Sequence, residues 1–254
     1  MIGSDGRFLG HAVLVTGAAS GIGRAAAAAF AGQGARVWLA DRDVAGVAVA
    51  CRELPGGAGH QAIRLDVTDE KGWNALANRI GADGGLDVLV NNAGHGIHRP
   101  LLETSYVQWR HDLAVNLDGA FLGTRAMLPL LARSDGGAIV NVSSIRGIVG
   151  GAGFAGYCAA KGGLRLFTKA VALECAALGN GVRCNSLHPG FIETPLTANA
   201  FPDEKMAVRR LAQIPLGRAG RAGEIAEAIL FLAGDEARYM TGAELVVDGG
   251  SIAG

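Results

Sequence analysis

The sequence predicts a single α/β domain spanning 1–254, a doubly wound parallel sheet of about seven strands with helices on both faces. Three observations carry this expectation. Short aliphatic or β-branched runs recur along the chain with helix-compatible stretches between them. The runs are apolar almost throughout, as strands covered on both faces must be. No shift in composition and no Ser/Pro-rich linker divides the chain, and no repeat interrupts it.

The runs fall at 12–16, 35–40, 61–67, 86–91, 138–143, 181–187 and 243–247. Joining parallel strands takes a crossover each time, and a helix supplies it. The first crossover is the clearest: AVLVT enters Gly17-Ala18-Ala19-Ser20-Gly21-Ile22-Gly23, and a helix follows that Gly34 is expected to end. The alanine run at 25–29 reads as a closely packed helix face.

Composition narrows the partners. Half the residues are hydrophobic, 18% are charged and mean hydropathy is +0.27, so the chain folds rather than staying solvated and disordered. Lys plus Arg and Asp plus Glu number 23 each, which leaves no net field to recruit nucleic acid or an anionic membrane surface. Cys51, Cys158, Cys175 and Cys184 form no C-x-x-C pair and no zinc spacing, so reduced thiols and no metal site are expected. The start lacks a basic segment followed by a long apolar run, and the longest uncharged stretch, 147–160, is too short to span a bilayer. A cytoplasmic protein is expected.

The glycine turn has a physical purpose. Backbone without Cβ obstruction approaches a pyrophosphate closely, and unpaired N–H groups at a helix start point at the anion. Asp41 ends the second strand 24 residues after Gly17, near the spacing at which an acidic side chain meets an adenosine ribose. A carboxylate there repels a 2′-phosphate, and Ser20 brings no positive charge, so NAD is favoured over NADP. Arg42 is the reservation, because its guanidinium beside the ribose offsets part of that repulsion.

With these residues in place the sequence resembles the short-chain dehydrogenase/reductase family. Thr16–Gly23 carries its T-G-x-x-x-G-I-G pattern. Asn91-Asn92-Ala93-Gly94 follows the fourth strand, Asn116 lies in the next helix, Ser144 closes the fifth strand, and Tyr157-x-x-x-Lys161 stands 13 residues beyond that serine. Pro189-Gly190-Phe191-Ile192-Glu193-Thr194, Thr241-Gly242 and Asp248-Gly249-Gly250 complete a match over residues 10 to 250. The resemblance implies a Rossmann-like fold and a dehydrogenase.

Tyr157 and Lys161 share a helix face, since side chains four apart lie about 5–6 Å apart at Cβ. A tyrosine titrates near pH 10, so acid/base work near neutrality needs its phenolate stabilised by about 4 kcal/mol, and an ammonium together with an oxidised nicotinamide is expected to do so. The resemblance makes Tyr157 the proton donor and acceptor for the substrate oxygen, Ser144 the donor that steers that oxygen, and Lys161 a holder of the nicotinamide ribose as well. It gives Asn116 a water that links Lys161 to solvent, against the plainer reading of a buried Asn bonded to backbone. The 13-residue spacing selects Ser144 over Ser143.

By position, Asp66 and Val67 end the third strand and meet adenine, unless Asp66 only caps the helix near Thr68 or Asp69. Asn91, Asn92, Ala93 and Gly94 run under the cofactor ribose. Pro189, Gly190 and the Ile192 backbone meet the nicotinamide, and Thr194 adds a bond or caps a helix. His95 and His98 lack a third metal ligand, and a substrate-mouth or solvent role is expected of them. His188 is expected to bond locally. Residues 195–222, with Arg209, Arg210, Arg218 and Arg221 in or near them, are expected to cover the substrate, most of these arginines being solvated. The apolar pattern from Leu164 to Leu173 reads as a buried helix face that the family packs against a second subunit, which implies a homodimer or homotetramer.

Ile145, Val149, Gly151 and Phe154 are expected to line the substrate pocket, with Arg146 the one polar side chain there. An apolar pocket around one proton-transfer site suits a bulky secondary alcohol or its ketone, alicyclic or hydroxysteroid-like. Two other readings compete. An NADPH-dependent 3-oxoacyl-carrier-protein reductase is opposed by Asp41, and a non-catalytic nucleotide-binding regulator is opposed by the intact Ser144, Tyr157 and Lys161.

Overall fold

The computed structural model describes residues 6–56, 59–198 and 211–254. Strands β1 Ala12–Thr16, β2 Arg36–Asp41, β3 Gln61–Arg64, β4 Val88–Asn91, β5 Ala138–Val142, β6 Arg183–Pro189, β7 Ile192–Glu193, β8 Gly220–Arg221 and β9 Glu244–Val247 are joined through helices. In chain order these are α1 Gly21–Gly32, α2 Val44–Arg52, α3 Glu70–Ala82, α4 Tyr106–Leu113, α5 Gly119–Leu131, α6 Ala155–Leu178, the single turn α7 Pro195–Ala198, and α8 Ala222–Ala233. Seven strands form one parallel sheet in the order β3-β2-β1-β4-β5-β6-β9. The order reverses between β1 and β4, where the crevice of such a sheet opens at the carboxyl ends of the strands.

Alternation along each strand loads both faces. Val13 and Val15 pack with Ala26, Ala27 and Phe30 of α1 and Ile225 and Ile229 of α8. Leu14, between them, points the other way, toward Trp73 and Ile80 of α3 and Met127 and Leu131 of α5. Both layers are apolar, which is why β1 has no polar face to read. Small side chains at 26 and 27 let α1 lie directly against α8.

One polar ladder crosses the second layer. Asn91 Nδ2 donates to Asn141 Oδ1 at 2.9 Å and to Thr124 Oγ1 at 3.2 Å, and Asn141 Nδ2 donates to Thr168 Oγ1 at 2.9 Å. It ties β4, β5, α5 and α6 together behind the crevice.

Several boundaries differ from the sequence reading. β3 stops at Arg64 because it is an edge strand paired only with β2, so Asp66 and Val67 lie in the following loop. α1 ends at Gly32, and Gly34, with φ +87°, makes the turn into β2. β5 ends at Val142, and Ser144 opens a 3₁₀ turn over Ile145–Gly147. Asn116 lies in a π turn, Ala114–Asp118, between α4 and α5.

Residues 199–210, with Arg209 and Arg210 and most of the segment expected to cover the substrate, fall outside the described residues, and the structure describes only what flanks them. There β7 pairs with β8 in a two-stranded ribbon, Ile192 opposite Gly220 and Glu193 opposite Arg221. Arg218 pairs with Glu224 at 2.6 Å on the surface. On α6, Leu164, Val171 and Ala172 are buried, while Leu166 and Leu173 are 65% and 73% exposed. The four cysteines are unpaired. Among the described residues no helix is long and apolar enough to cross a membrane, and no cluster of three or more His, Cys, Asp or Glu side chains could hold a metal.

Candidate active site

A cavity of about 570 Å³ opens at the carboxyl ends of the central strands. At one end it is lined by Gly17, Ser20, Gly21, Ile22, Asp41, Arg42, Asp66 and Val67. Asn92, Ala93, Gly94 and Asn116 form its middle, and Ser144, Tyr157, Lys161, Pro189, Gly190, Ile192 and Thr194 its other end.

Two asparagine and glycine assignments need correction. Gly23 does not line the cavity: a Cβ on it would overlap Gly17 O, so it serves the packing of the turn on itself. Asn91 does not line it either, because its amide is spent on the ladder beneath the sheet.

The glycine turn is held from outside. Thr16 Oγ1 accepts from Asn92 N and Ala93 N, each at 3.0 Å, and Asn92 Nδ2 donates to Thr16 O at 2.9 Å. Gly17 has φ +67°, and a Cβ there would stand 2.9 Å from Ala93 Cα, so two loops meet at a distance only glycine permits. Ser20 precedes α1 without capping it, which leaves the first-turn N–H groups at Gly21 and Ile22 without a side-chain acceptor. Asp41 accepts from Ala19 N at 3.0 Å and Asp43 N at 2.9 Å, fixing its carboxylate at the cavity edge. Asp66 Oδ1 accepts from Thr68 N and Oγ1, bonds that hold its carboxyl below the usual range, while Asp69 caps α3. A cleft that admits no Cβ, with open helix N–H groups and a fixed carboxylate, fits a dinucleotide.

At the other end, each element places one group. Ser143 Oγ donates to Lys161 O at 2.9 Å, so its proton is committed to α6, whereas no such bond ties the neighbouring Ser144 hydroxyl at the cavity wall to α6 backbone. Fully buried His188 sets the backbone beneath Ser144, with Nδ1 3.0 Å from Ser144 O and Nε2 2.9 Å from Ser186 Oγ. Burial pushes this imidazole below its usual pKa, which favours the neutral ring. Lys161 Nζ donates to Val142 O at 2.9 Å and lies 5.8 Å from the Tyr157 ring centroid. The lysine is 4% exposed, and burial lowers its pKa to about 8.

Burial acts on the phenol in the opposite sense to a neighbouring positive charge. Burial raises Tyr157, and the groups that pull it down are the Ser144 hydroxyl and the Arg146 charge rather than Lys161. Desolvation is the largest influence on it.

Asn116 is engaged as well. Its Nδ2 donates to His95 O at 2.9 Å and Asp112 O at 3.0 Å, and its Oδ1 accepts from His95 N at 3.1 Å. The side chain therefore pins the loop after β4, and the plainer of its two readings describes its amide.

The apolar wall lies elsewhere than expected. Ile145, Val149, Gly151 and Phe154 do not line the cavity; Ile97, Val142, Ile192 and Leu196 do. Arg146 donates to Gly150 O at 2.7 Å and Arg99 N to Gly153 O at 2.7 Å, which turns the 145–154 segment aside. His98 packs edge-on against Phe154 outside the cavity, whereas His95 lines it, its ring 4.8 Å from that of His111. His111 and Asp112 were missed in the sequence, although Asp112 precedes Asn116 by the same helical spacing that singled out Tyr157 and Lys161.

Fold and cavity together define an α/β oxidoreductase built around a dinucleotide cleft. A family model described as Enoyl-(Acyl carrier protein) reductase matches residues 17–251. Cyclopentanol dehydrogenase of Comamonas testosteroni is 43% identical over 248 residues, 96% of this chain and 98% of that one. The 3-alpha-(or 20-beta)-hydroxysteroid dehydrogenase of Mycobacterium tuberculosis is 40% identical over 252 residues, 98% and 92% of the two chains. A solved structure from Beutenbergia cavernae, assigned as an NAD(P) dependent gluconate 5-dehydrogenase with NADP bound at low occupancy, superposes with a TM-score of 0.91 at 38% identity, covering 97% of this chain and 98% of that one. The chain belongs to the short-chain dehydrogenase/reductase family.

Proposed function

We propose that the protein is an NAD-dependent dehydrogenase that interconverts a bulky, apolar secondary alcohol, alicyclic or hydroxysteroid-like, with its ketone. The observation that carries the reading is that Ser144, Tyr157 and Lys161 open into the same cavity as the glycine turn and Asp41. The nicotinamide, when bound, exchanges a hydride with the substrate carbon.

The chain's own residues do the rest. Ser144 Oγ accepts from Arg146 N at 3.1 Å, which leaves its proton to donate to the substrate oxygen and steer it to Tyr157. Tyr157 takes the hydroxyl proton in oxidation and returns it in reduction. Lys161 holds the nicotinamide ribose and, below about pH 8, places an ammonium beside the phenol. Gly17, Ser20, Gly21 and Ile22 receive the pyrophosphate, and Asp41 receives the adenosine ribose. Asp66 and Val67 flank the adenine, and Pro189, Gly190, Ile192 and Thr194 orient the carboxamide.

Ile97, Ile192 and Leu196 support an apolar substrate, as do the cyclic-alcohol and steroid names of the relatives. Arg42 beside Asp41 favours the second reading, NADP, which the solved relative's bound NADP also supports. The exposed Leu166 and Leu173 on α6 and Phe121 on α5 support pairing of these helices with a second copy in a homodimer or homotetramer. Four unpaired cysteines fit a reducing, cytoplasmic setting.

The test is a panel of secondary alcohols, among them cyclopentanol and hydroxysteroids, with NAD or NADP, read by reduced-nicotinamide absorbance. Turnover with NAD that Tyr157→Phe abolishes is the expected result. A preference for NADP overturns the reading of Asp41, and full activity in Tyr157→Phe overturns the reaction.

A further inference from the structure

The Tyr157 helix begins against a buried carboxylate that the proposed reaction does not use. Asp112, on α4, is 5% exposed. Its Oδ1 lies 3.4 Å from His95 Nε2 and 3.7 Å from Arg99 NH2. Both Oδ1 and His95 Nε2 are buried without a hydrogen bond of good geometry. On its other side the carboxylate fills the space that a Cβ on Gly156 would need, one residue before Tyr157. The Asp112 carbonyl accepts from Asn116 Nδ2 at 3.0 Å, and Asn116 in turn holds His95 through both of its backbone groups.

We propose that Asp112 is a positioning residue, a buried anionic clamp that fixes the first turn of α6, and so the Tyr157 phenol, against the loop carrying Gly94 and His95. The proposal rests on the reading of Tyr157 given above. Three elements meet at this one carboxylate: the loop after β4 through His95 and Arg99, α4 itself, and α6 through Gly156. A buried carboxylate is held where its partners are, here the Arg99 guanidinium and a His95 ring that burial pushes below its usual pKa, so it transmits the position of one element to the next. The charged and titratable groups around it are His95 and Arg99, with His111 and Arg42 acting on His95 from behind. Gly94 joins the clamp to the relay, since a Cβ there would stand 2.7 Å from Asn116 Oδ1 and 3.3 Å from Lys161 Nζ.

The test is Asp112→Asn, which keeps the shape and removes the charge, with His95→Gln as a second variant should the first fail to fold. In turnover assays Asp112→Asn is expected to lower kcat by about 10- to 100-fold while KM for the cofactor changes by less than about threefold, as displacement of a reacting group does. His95→Gln, which leaves Arg99 on the carboxylate, is expected to lower kcat by about three- to tenfold.

A second readout needs no substrate. Of the three tyrosines, Tyr106 and Tyr239 are exposed, so the ultraviolet titration difference between the protein and its Tyr157→Phe variant isolates the Tyr157 phenol. Loosening the clamp weakens the bond from Ser144 that pulls this phenol down, so its midpoint is expected to rise in Asp112→Asn. Loss of a nearby negative charge without movement lowers it instead. A midpoint that stays or falls overturns the proposal, as does a kcat within twofold of the parent's. A chain without any alcohol turnover sinks the functional reading, and the phenol titration still decides the clamp.

Discussion

Around β1 the cavity is shaped by main chain at a glycine turn, whereas around β5, α6 and β6 it is shaped by buried polar side chains. In the first region two loops meet at a Gly17 that has no room for a Cβ, and helix N–H groups face the space left open. In the second, Lys161, Ser144 and His188 are buried polar groups, each bonded to a partner far away in the sequence. A main-chain wall recognises what is common to a class of ligands, because every residue supplies the same N–H and C=O. A side-chain wall is suited to chemistry, because burial moves pKa values, as it lowers that of Lys161 to about 8.

Perturbing each region in turn sharpens this contrast. The largest effect belongs to the side-chain wall: Tyr157→Phe is expected to lower kcat by about 10²- to 10⁴-fold and leave cofactor affinity, read by nicotinamide fluorescence, within about threefold. Equal losses in both would break the division. The same phenol fixes the pH sign. Because its pKa is raised, the phenolate needed for oxidation grows toward alkaline pH, so oxidation is expected to climb as pH rises and ketone reduction to fall. Parallel profiles in the two directions would remove Tyr157 as the titrating group.

Next comes the ladder behind the wall. Asn141→Ala takes one partner from each of Asn91 and Thr168, which keep their bonds to Thr124 and Leu164, and is expected to cost about 2 kcal/mol of stability, measured by denaturant melts, without altering the NAD to NADP preference. Asp41→Ala acts in the reverse sense. It is expected to move that preference about tenfold toward NADP, seen in kcat/KM ratios, because the carboxylate that repels a 2′-phosphate is gone. The smallest effect is a gain: a Cβ on Gly162 meets only Gly147 O at 3.7 Å, so Gly162→Ala inside α6 is expected to stabilise by about 0.5–1 kcal/mol.

The same contrast explains what was legible in the sequence. The glycine turn and the Tyr157 and Lys161 pair depend on spacing within one strand, turn or helix, and the structure brings them to one cavity. The apolar wall was misplaced because the direction of the 145–154 segment depends on Arg99 N bonding to Gly153 O, a contact across 54 residues. Asn91 was misplaced for a similar reason: it is the last residue of β4, its amide bonded across the sheet to Asn141, while Asn92, Ala93 and Gly94 lie in the loop beyond and line the cavity. The lysine charge beside the phenol is visible in a sequence, whereas the desolvation that raises the phenol depends on everything packed around it.

The ribbon of β7 and β8 bears on chain length. It pairs Ile192 with Gly220 and Glu193 with Arg221, so the two ends of residues 194–219 lie side by side. Closing such a stretch costs little more as it lengthens, because the entropy grows only with the logarithm of its length. Changes of length between those ends are therefore expected to leave the seven-stranded sheet intact.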